Sequence, residues 1–276
     1  MIFSKLNQFI KTHLIARLLL FLFLLAAIWS PFAIAGSTFL NHDPNLMTIV
    51  TMGCLFVVFL GLQKVWGIYV YNQPKIFQQY GLHLDRINLI TLIKGLAIGF
   101  CVCWGLFITE AILGWLEFTA SSEFIVKIVI EGLISALGIA LAEELVFRGW
   151  VLFEVEQDLS KLSSLWISSL LFAIAHFLKP IADIVRTLVN FPALVLLGLV
   201  LVWAKRGGYN RLSMAIGIHA GLIWSYYILN VGQLIEYTNG APTWMKGIDG
   251  NPLAGILGLC FMGILAVFMR RKALSV

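Results

Sequence analysis

Charge is the first thing this sequence lacks. Only 12% of its 276 residues are Asp, Glu, Lys or Arg and 60% are hydrophobic, where a soluble globular domain carries about 25% charge. The mean hydropathy is +0.93. This excludes a soluble globular enzyme, a disordered chain, and a nucleic-acid partner held on a basic face. Paired cysteines are lacking too. Cys54, Cys101, Cys103 and Cys260 all lie in apolar runs, and Cys101-Val102-Cys103 is not a CxxC motif. Disulfides and structural zinc are therefore not expected, and the thiols read as small apolar side chains. No stretch alternates as a membrane-barrel strand does, and there is no internal repeat, low-complexity tract or linker.

Apolar runs are what the sequence has. Eight of them, at about 18–35, 46–71, 89–116, 124–153, 163–179, 189–204, 211–231 and 253–270, approach or exceed the ~20 residues that cross a bilayer. The expected fold is an all-α polytopic membrane protein, about eight transmembrane helices enclosing an intramembrane cavity. Ala33-Ile34-Ala35 mimics a signal-peptidase site, but the run before it exceeds the ~7–15 residues of a signal h-region, so the first span is expected to be retained.

Cations alternate with neutral or acidic segments along the connections, apart from the fourth (Glu154, Glu156, Asp158, Lys161), which is acidic and gives no orientation. Lys5, Lys11 and Arg17 come first, then Lys75 and Arg86, then Lys205, Arg206 and Arg211, and finally Arg270, Arg271 and Lys272. Between them lie Asp43, then Glu117 and Glu123, then Glu236, Lys246 and Asp249. An even number of spans with both ends cytoplasmic produces this pattern.

A charge at mid-membrane costs roughly 2.5–3.5 kcal/mol on insertion scales, so each one inside a span points to function. Lys94, Glu110 and Glu131 lie near span ends and are expected to snorkel. The run Leu141-Ala142-Glu143-Glu144-Leu145-Val146-Phe147-Arg148-Gly149 is different. Residues four apart share a helix face, so Glu144 and Arg148 are expected to pair. Glu143, turned away by about 100°, is left to face other helices as a candidate general base.

The facing groups are His176 and His219. At 1.5 Å per residue, His176 is ~20 Å from Ser163, His219 ~12 Å from Arg211, and Glu143 ~16 Å from Glu154. One carboxylate and two imidazoles at similar depth can activate water and stabilise an oxyanion, and they also make a catalytic zinc set.

These residues resemble the motifs of the CPBP family of intramembrane proteases, also called Abi, which includes CAAX-prenyl proteases and bacteriocin-processing enzymes. Its EExxxR motif matches Glu143, Glu144 and Arg148; its FxxxH matches Phe172 to His176; its later-helix His matches His219. The resemblance implies an intramembrane endopeptidase cleaving a membrane-associated peptide, prenylated in the CAAX case. It implies Glu143 as general base, with His176 binding or polarising the water. His219 would stabilise the oxyanion, Glu144 and Arg148 would organise the site, and Phe172 would pack beneath it. Whether a divalent metal such as zinc takes part stays open.

The family commonly has Asn or Asp four residues after the third-motif His, where this chain has Ile223. Asn230, Ser225, Tyr226 and Tyr227 are candidate substitutes. On this reading residues 1–120 form three N-terminal spans and 121–276 a five-span protease core. The bilayer and a membrane-associated peptide or protein substrate are the expected partners, and a bacterial cytoplasmic membrane is the expected location. A scaffold or regulator that keeps the motif as a polar network is the alternative, and a proton-coupled transporter the next.

Overall fold

A computed structural model of the protein describes residues 13–120, 124–238, 240, 244, 247 and 255–275. Lys5, Lys11, Glu123, Lys246 and Asp249, used above for orientation, lie outside the described residues.

Each apolar run contains a helix. These are α1 (Leu14–Phe39), α2 (Pro44–Tyr69), α3 (Arg86–Ile112), α4 (Ile125–Glu156), α5 (Lys161–Ala175), α6 (Ile181–Gly207), α7 (Leu212–Val231) and α8 (Ile256–Leu274). The chain is an all-α polytopic membrane protein. Among the described residues, six helices, α1 to α4, α6 and α7, are long and apolar enough to cross a membrane.

The expected eight spans are therefore not all matched. At 15 residues, α5 reaches about 22 Å, short of a ~30 Å hydrocarbon core. Its expected run to residue 179 ends at Ala175 instead, with His176 as the C-cap, and Pro180 bars helix in the residue just before it. The final helix, α8, carries Arg270, Arg271 and Lys272 in its last turns. An unforeseen two-stranded ribbon pairs β1 (Leu116–Phe118) antiparallel with β2 (Ile235–Tyr237), Leu116 opposite Tyr237.

Two compact units make up the chain, Met1–Gln79 and Tyr80–Val276. In the first, Asp43 caps α2 by accepting from the backbone N–H of Asn45 and Leu46. Trp29 Nε1 of α1 donates to the Thr51 carbonyl of α2 at 2.9 Å. Arg17, read above as a loop cation, is buried within α1.

The second unit is organised by α7, most of whose residues are buried. Glycines explain how closely α7 approaches α3. A Cβ on Gly95 or Gly99 would lie 2.5 or 2.2 Å from the Met214 or Ile218 carbonyl oxygen; one on Gly217 or Gly221 would lie 2.3 Å from that of Leu92 or Leu96. Two small-xxx-small stripes thus face each other. In lipid, where apolar surface gives no net drive between helices, such close backbone packing holds a pair together. Polar contacts lock one end of the seam: Thr91 and Ser213 hydroxyls lie 2.5 Å apart, and Ser213 donates to Asn88 Oδ1. Just before α3, Asp85 accepts from Arg211 at 2.7 and 2.6 Å. The Arg211 hydrogen bond, helped by the backbone N–H of Asn88, holds the Asp85 carboxyl below its ordinary range.

Lys94 and Glu131 are exposed as expected, with Glu131 3.7 Å from Lys127. Glu110 does not snorkel. It is buried at the far end of α3 and accepts from the Tyr237 hydroxyl at 3.3 Å, tying that helix to the ribbon. Burial first, and the Glu110 carboxyl second, push the Tyr237 phenol above its ordinary range.

Candidate active site

The local geometry begins with a widened turn. Residues Leu145–Val151 of α4 form a π-helical segment directly after the paired glutamates. Such segments free backbone groups from the regular ladder and occur often at functional sites. Here the Lys205 ammonium of α6 donates to the Arg148 carbonyl oxygen at 2.7 Å. Lys205, read above as a loop cation, is instead buried against this turn.

Glu144 and Arg148 are fully buried and pair at 2.9 Å. Arg148 also donates to the Gly198 carbonyl of α6 at 3.3 Å, and its guanidinium stacks 4.1 Å over the Phe172 ring of α5. Phe172 therefore lies beneath the site. Its edge also meets the His176 ring, with centroids 4.6 Å apart. His219, set between Gly217 and Gly221 on α7, has Nδ1 2.9 Å from Glu144 Oε1. The glycine seam that fixes α7 against α3 thus also fixes the height of this imidazole.

Glu143 points elsewhere. Its Oε2 lies 3.8 Å from His176 Nε2 and 4.0 Å from His219 Nε2. The structure thus brings all five polar residues together from α4, α5 and α7. His176 caps the C-terminal end of α5 rather than lying at mid-span. Its Nδ1 is 2.8 Å from the Phe172 carbonyl oxygen.

Those partners fix the tautomers. A carbonyl only accepts, so His176 Nδ1 carries the proton. An ionised Glu144 likewise requires a proton on His219 Nδ1. In the neutral rings both Nε2 atoms then present lone pairs towards Glu143 Oε2, which is itself an acceptor. Among the described residues, Glu143 Oε2 is buried and has no hydrogen-bond partner. Three acceptors around one point call for a donor, and water supplies two hydrogens.

The donor chemistry also suits a cation, but the spacing does not. Ligand atoms of a tetrahedral zinc at ~2.0–2.1 Å lie about 3.3 Å apart, closer than either gap here. No group of three or more His, Cys, Asp or Glu among the described residues is gathered to hold a metal ion.

A cavity of about 330 Å³ adjoins the two histidines. Leu194, Leu197, Leu222, Ile223 and Met262 give it apolar walls. Ile223 thus stands in the wall without a polar atom to offer. Of its four candidate substitutes only Tyr226 lines this cavity. Asn230 donates to the Tyr226 carbonyl and Ser225 to the Phe100 carbonyl, while the Tyr227 ring packs against Gly132. Asn190, at the cavity wall, was missed by sequence reasoning. Its only signal was a lone amide at the head of an apolar run.

No curated protein and no solved structure matches the chain. The family model described as type II CAAX prenyl endopeptidase Rce1-like matches residues 125–225, the stretch holding Glu143, Glu144, Arg148, His176 and His219. That match agrees with the likeness of the chain's motifs to those of the CPBP/CAAX proteases.

Proposed function

We propose that the protein is an intramembrane endopeptidase that cleaves a membrane-associated peptide by general-base attack of water. The observation that carries this reading is the convergence of Glu143 Oε2, His176 Nε2 and His219 Nε2, with both imidazole nitrogens within 4.0 Å of the carboxylate oxygen. A water between them donates one hydrogen to Glu143 and one to an imidazole, leaving an oxygen lone pair for the scissile carbonyl. Its oxygen bonds to the carbonyl carbon as Glu143 takes the proton. Collapse of the tetrahedral intermediate breaks the C–N bond, and the same proton passes to the leaving amine.

His219 stabilises the oxyanion only when protonated at Nε2. Glu144, fixed by Arg148, is placed to stabilise that imidazolium through Nδ1. No step is derived through a metal. The apolar cavity beside the histidines suits the lipidated or apolar end of a substrate, in line with prenylated peptides. Both termini in the cytoplasm, in a bacterial cytoplasmic membrane, complete the reading, as does a protease core beginning near residue 121.

Glu143→Gln is the test. Loss of a positioned general base lowers turnover by about 10²–10⁴. Cleavage of a prenylated reporter peptide by the purified protein in detergent should fall to that extent, with the unfolding midpoint unchanged. Unchanged cleavage by Glu143→Gln would end this general-base reading, and no cleavage by the wild-type protein would favour a scaffold that keeps the cluster for packing.

A further inference from the structure

Away from the candidate active site, a groove of about 850 Å³ opens where the first turn of α5 meets the last turns of α6 and α8. Three cations from three helices line it: Lys161, Arg206 and Arg270. Trp166, Trp203 and Tyr209 also line it, and Leu165 and Leu199 supply further apolar wall. A ring of charge over an aromatic and aliphatic wall matches the chemistry of a phospholipid at a membrane interface, phosphate above and acyl chain below.

Helix packing does not use two of these charges. Arg206 is a strut, donating at 2.8 Å both to Glu156 and to the Lys161 carbonyl oxygen. No carboxylate among the described residues pairs with the Lys161 ammonium or the Arg270 guanidinium, and both residues are exposed. Lys161 also occupies the first turn of α5, the positive end of the helix dipole, where a cation is disfavoured and an anion is welcome. Leu162 and Trp166, 66% and 46% exposed, continue the surface along α5. Tyr209 and Asn210 hold consecutive left-handed backbone conformations, φ 61° and 57°, at the edge of the groove. Non-glycine residues rarely adopt that conformation, and it recurs at ligand clamps.

We infer that this groove binds the headgroup of an anionic phospholipid, with the phosphodiester between Lys161 and Arg270 and an acyl chain against Trp166 and Leu165. The occupant is a lipid because the cationic rim is continuous with apolar surface on a membrane-embedded unit. The inference does not depend on the protease reading.

Native mass spectrometry of the full-length protein in detergent, titrated with dioleoylphosphatidylglycerol or dioleoylphosphatidylcholine, tests it. The first phosphatidylglycerol should bind on the order of 10-fold more tightly than phosphatidylcholine. The double variant Lys161→Gln, Arg270→Gln should lose that preference, and Lys161→Glu alone should weaken it by a comparable amount. Both side chains are exposed, so the lipid-free variants should keep the wild-type unfolding midpoint. Equal binding of the two lipids, or a preference that survives the double variant, overturns the inference. Displacement of phosphatidylglycerol by inorganic phosphate at millimolar concentration also overturns it, in favour of a free-anion site.

Discussion

Glu143 and Glu144 are consecutive residues of one helix, yet their surroundings are opposite. Glu144 is sealed, with Arg148 and His219 both 2.9 Å from one oxygen and no solvent exposure. Glu143 keeps about a third of its side chain exposed (32%), and its nearest polar partners stand 3.8 and 4.0 Å away. A carboxylate in hydrocarbon is tolerable when a charge neutralises it and hydrogen bonds satisfy it. The sealed acid is neutralised by Arg148 and hydrogen-bonded at Oε1, although its Oε2 is buried without a partner among the described residues; the open one has neither a neutralising partner nor a hydrogen bond at Oε2. The pair thus divides the work: one acid holds the cluster together while its neighbour is left available for chemistry.

The largest effect should come from stranding the sealed acid. Arg148→Met removes its neutralising partner and leaves an uncompensated buried charge, which destabilises by about 3–5 kcal/mol. A thermal unfolding scan in detergent should show a large drop in midpoint, whereas Glu143→Gln should show none. Equal drops in the two variants would erase the distinction between the faces.

Next is the seam that sets the height of His219. Gly221→Val puts a Cβ 2.3 Å from the Leu96 carbonyl oxygen, a clash with backbone that no rotamer relieves. The cost should reach the upper end of the about 1–3 kcal/mol typical of overpacking. Cleavage should fall further than stability alone explains, because the α7 imidazole moves with its helix. Replacing Lys205 is milder. Lys205→Met removes the donor to the Arg148 carbonyl, but it also removes the burden of a buried ammonium. A loss of about 1.5 kcal/mol, the low end for a charged hydrogen bond, is expected on the same scan.

Much of this site was legible in the sequence because it rests on helical spacing. Glutamates side by side must diverge by about 100°, and an arginine four residues on must share a face with the second. The membrane setting was equally legible, since long apolar runs and a dearth of charge leave few alternatives. Helix ends were not. The fifth apolar run reads on to residue 179, and only the helix-breaking effect of Pro180 hints that α5 stops before His176. Lys205 looked like the start of a loop because a cation ends an apolar run; its partner is a carbonyl exposed by a π-turn, which residue periodicity does not encode. The facing stripes Gly95-xxx-Gly99 and Gly217-xxx-Gly221 were missed, although their small-xxx-small spacing is a signal of close helix packing. Which stripe meets which is settled by tertiary structure.

The smallest effect belongs to the same carboxylate–guanidinium chemistry placed in water. Asp85 and Arg211 approach to 2.6 Å, closer than Glu144 and Arg148, yet the Asp85 side chain is 42% exposed. Solvent screens such a pair, so its strength lies well below that of the sealed one. Because folding depresses the Asp85 carboxyl, its contribution is complete above the ordinary aspartate value of about 4 and fades as pH falls through the lowered folded value. Asp85→Asn should therefore lower the unfolding midpoint slightly at neutral pH, and the gap to wild type should narrow progressively as the pH falls below about 4. A gap that stays constant across that range would mean that the Asp85 side chain acts only as a neutral cap on α3, accepting from the Asn88 N–H at 2.9 Å, with no charge contribution from the pair.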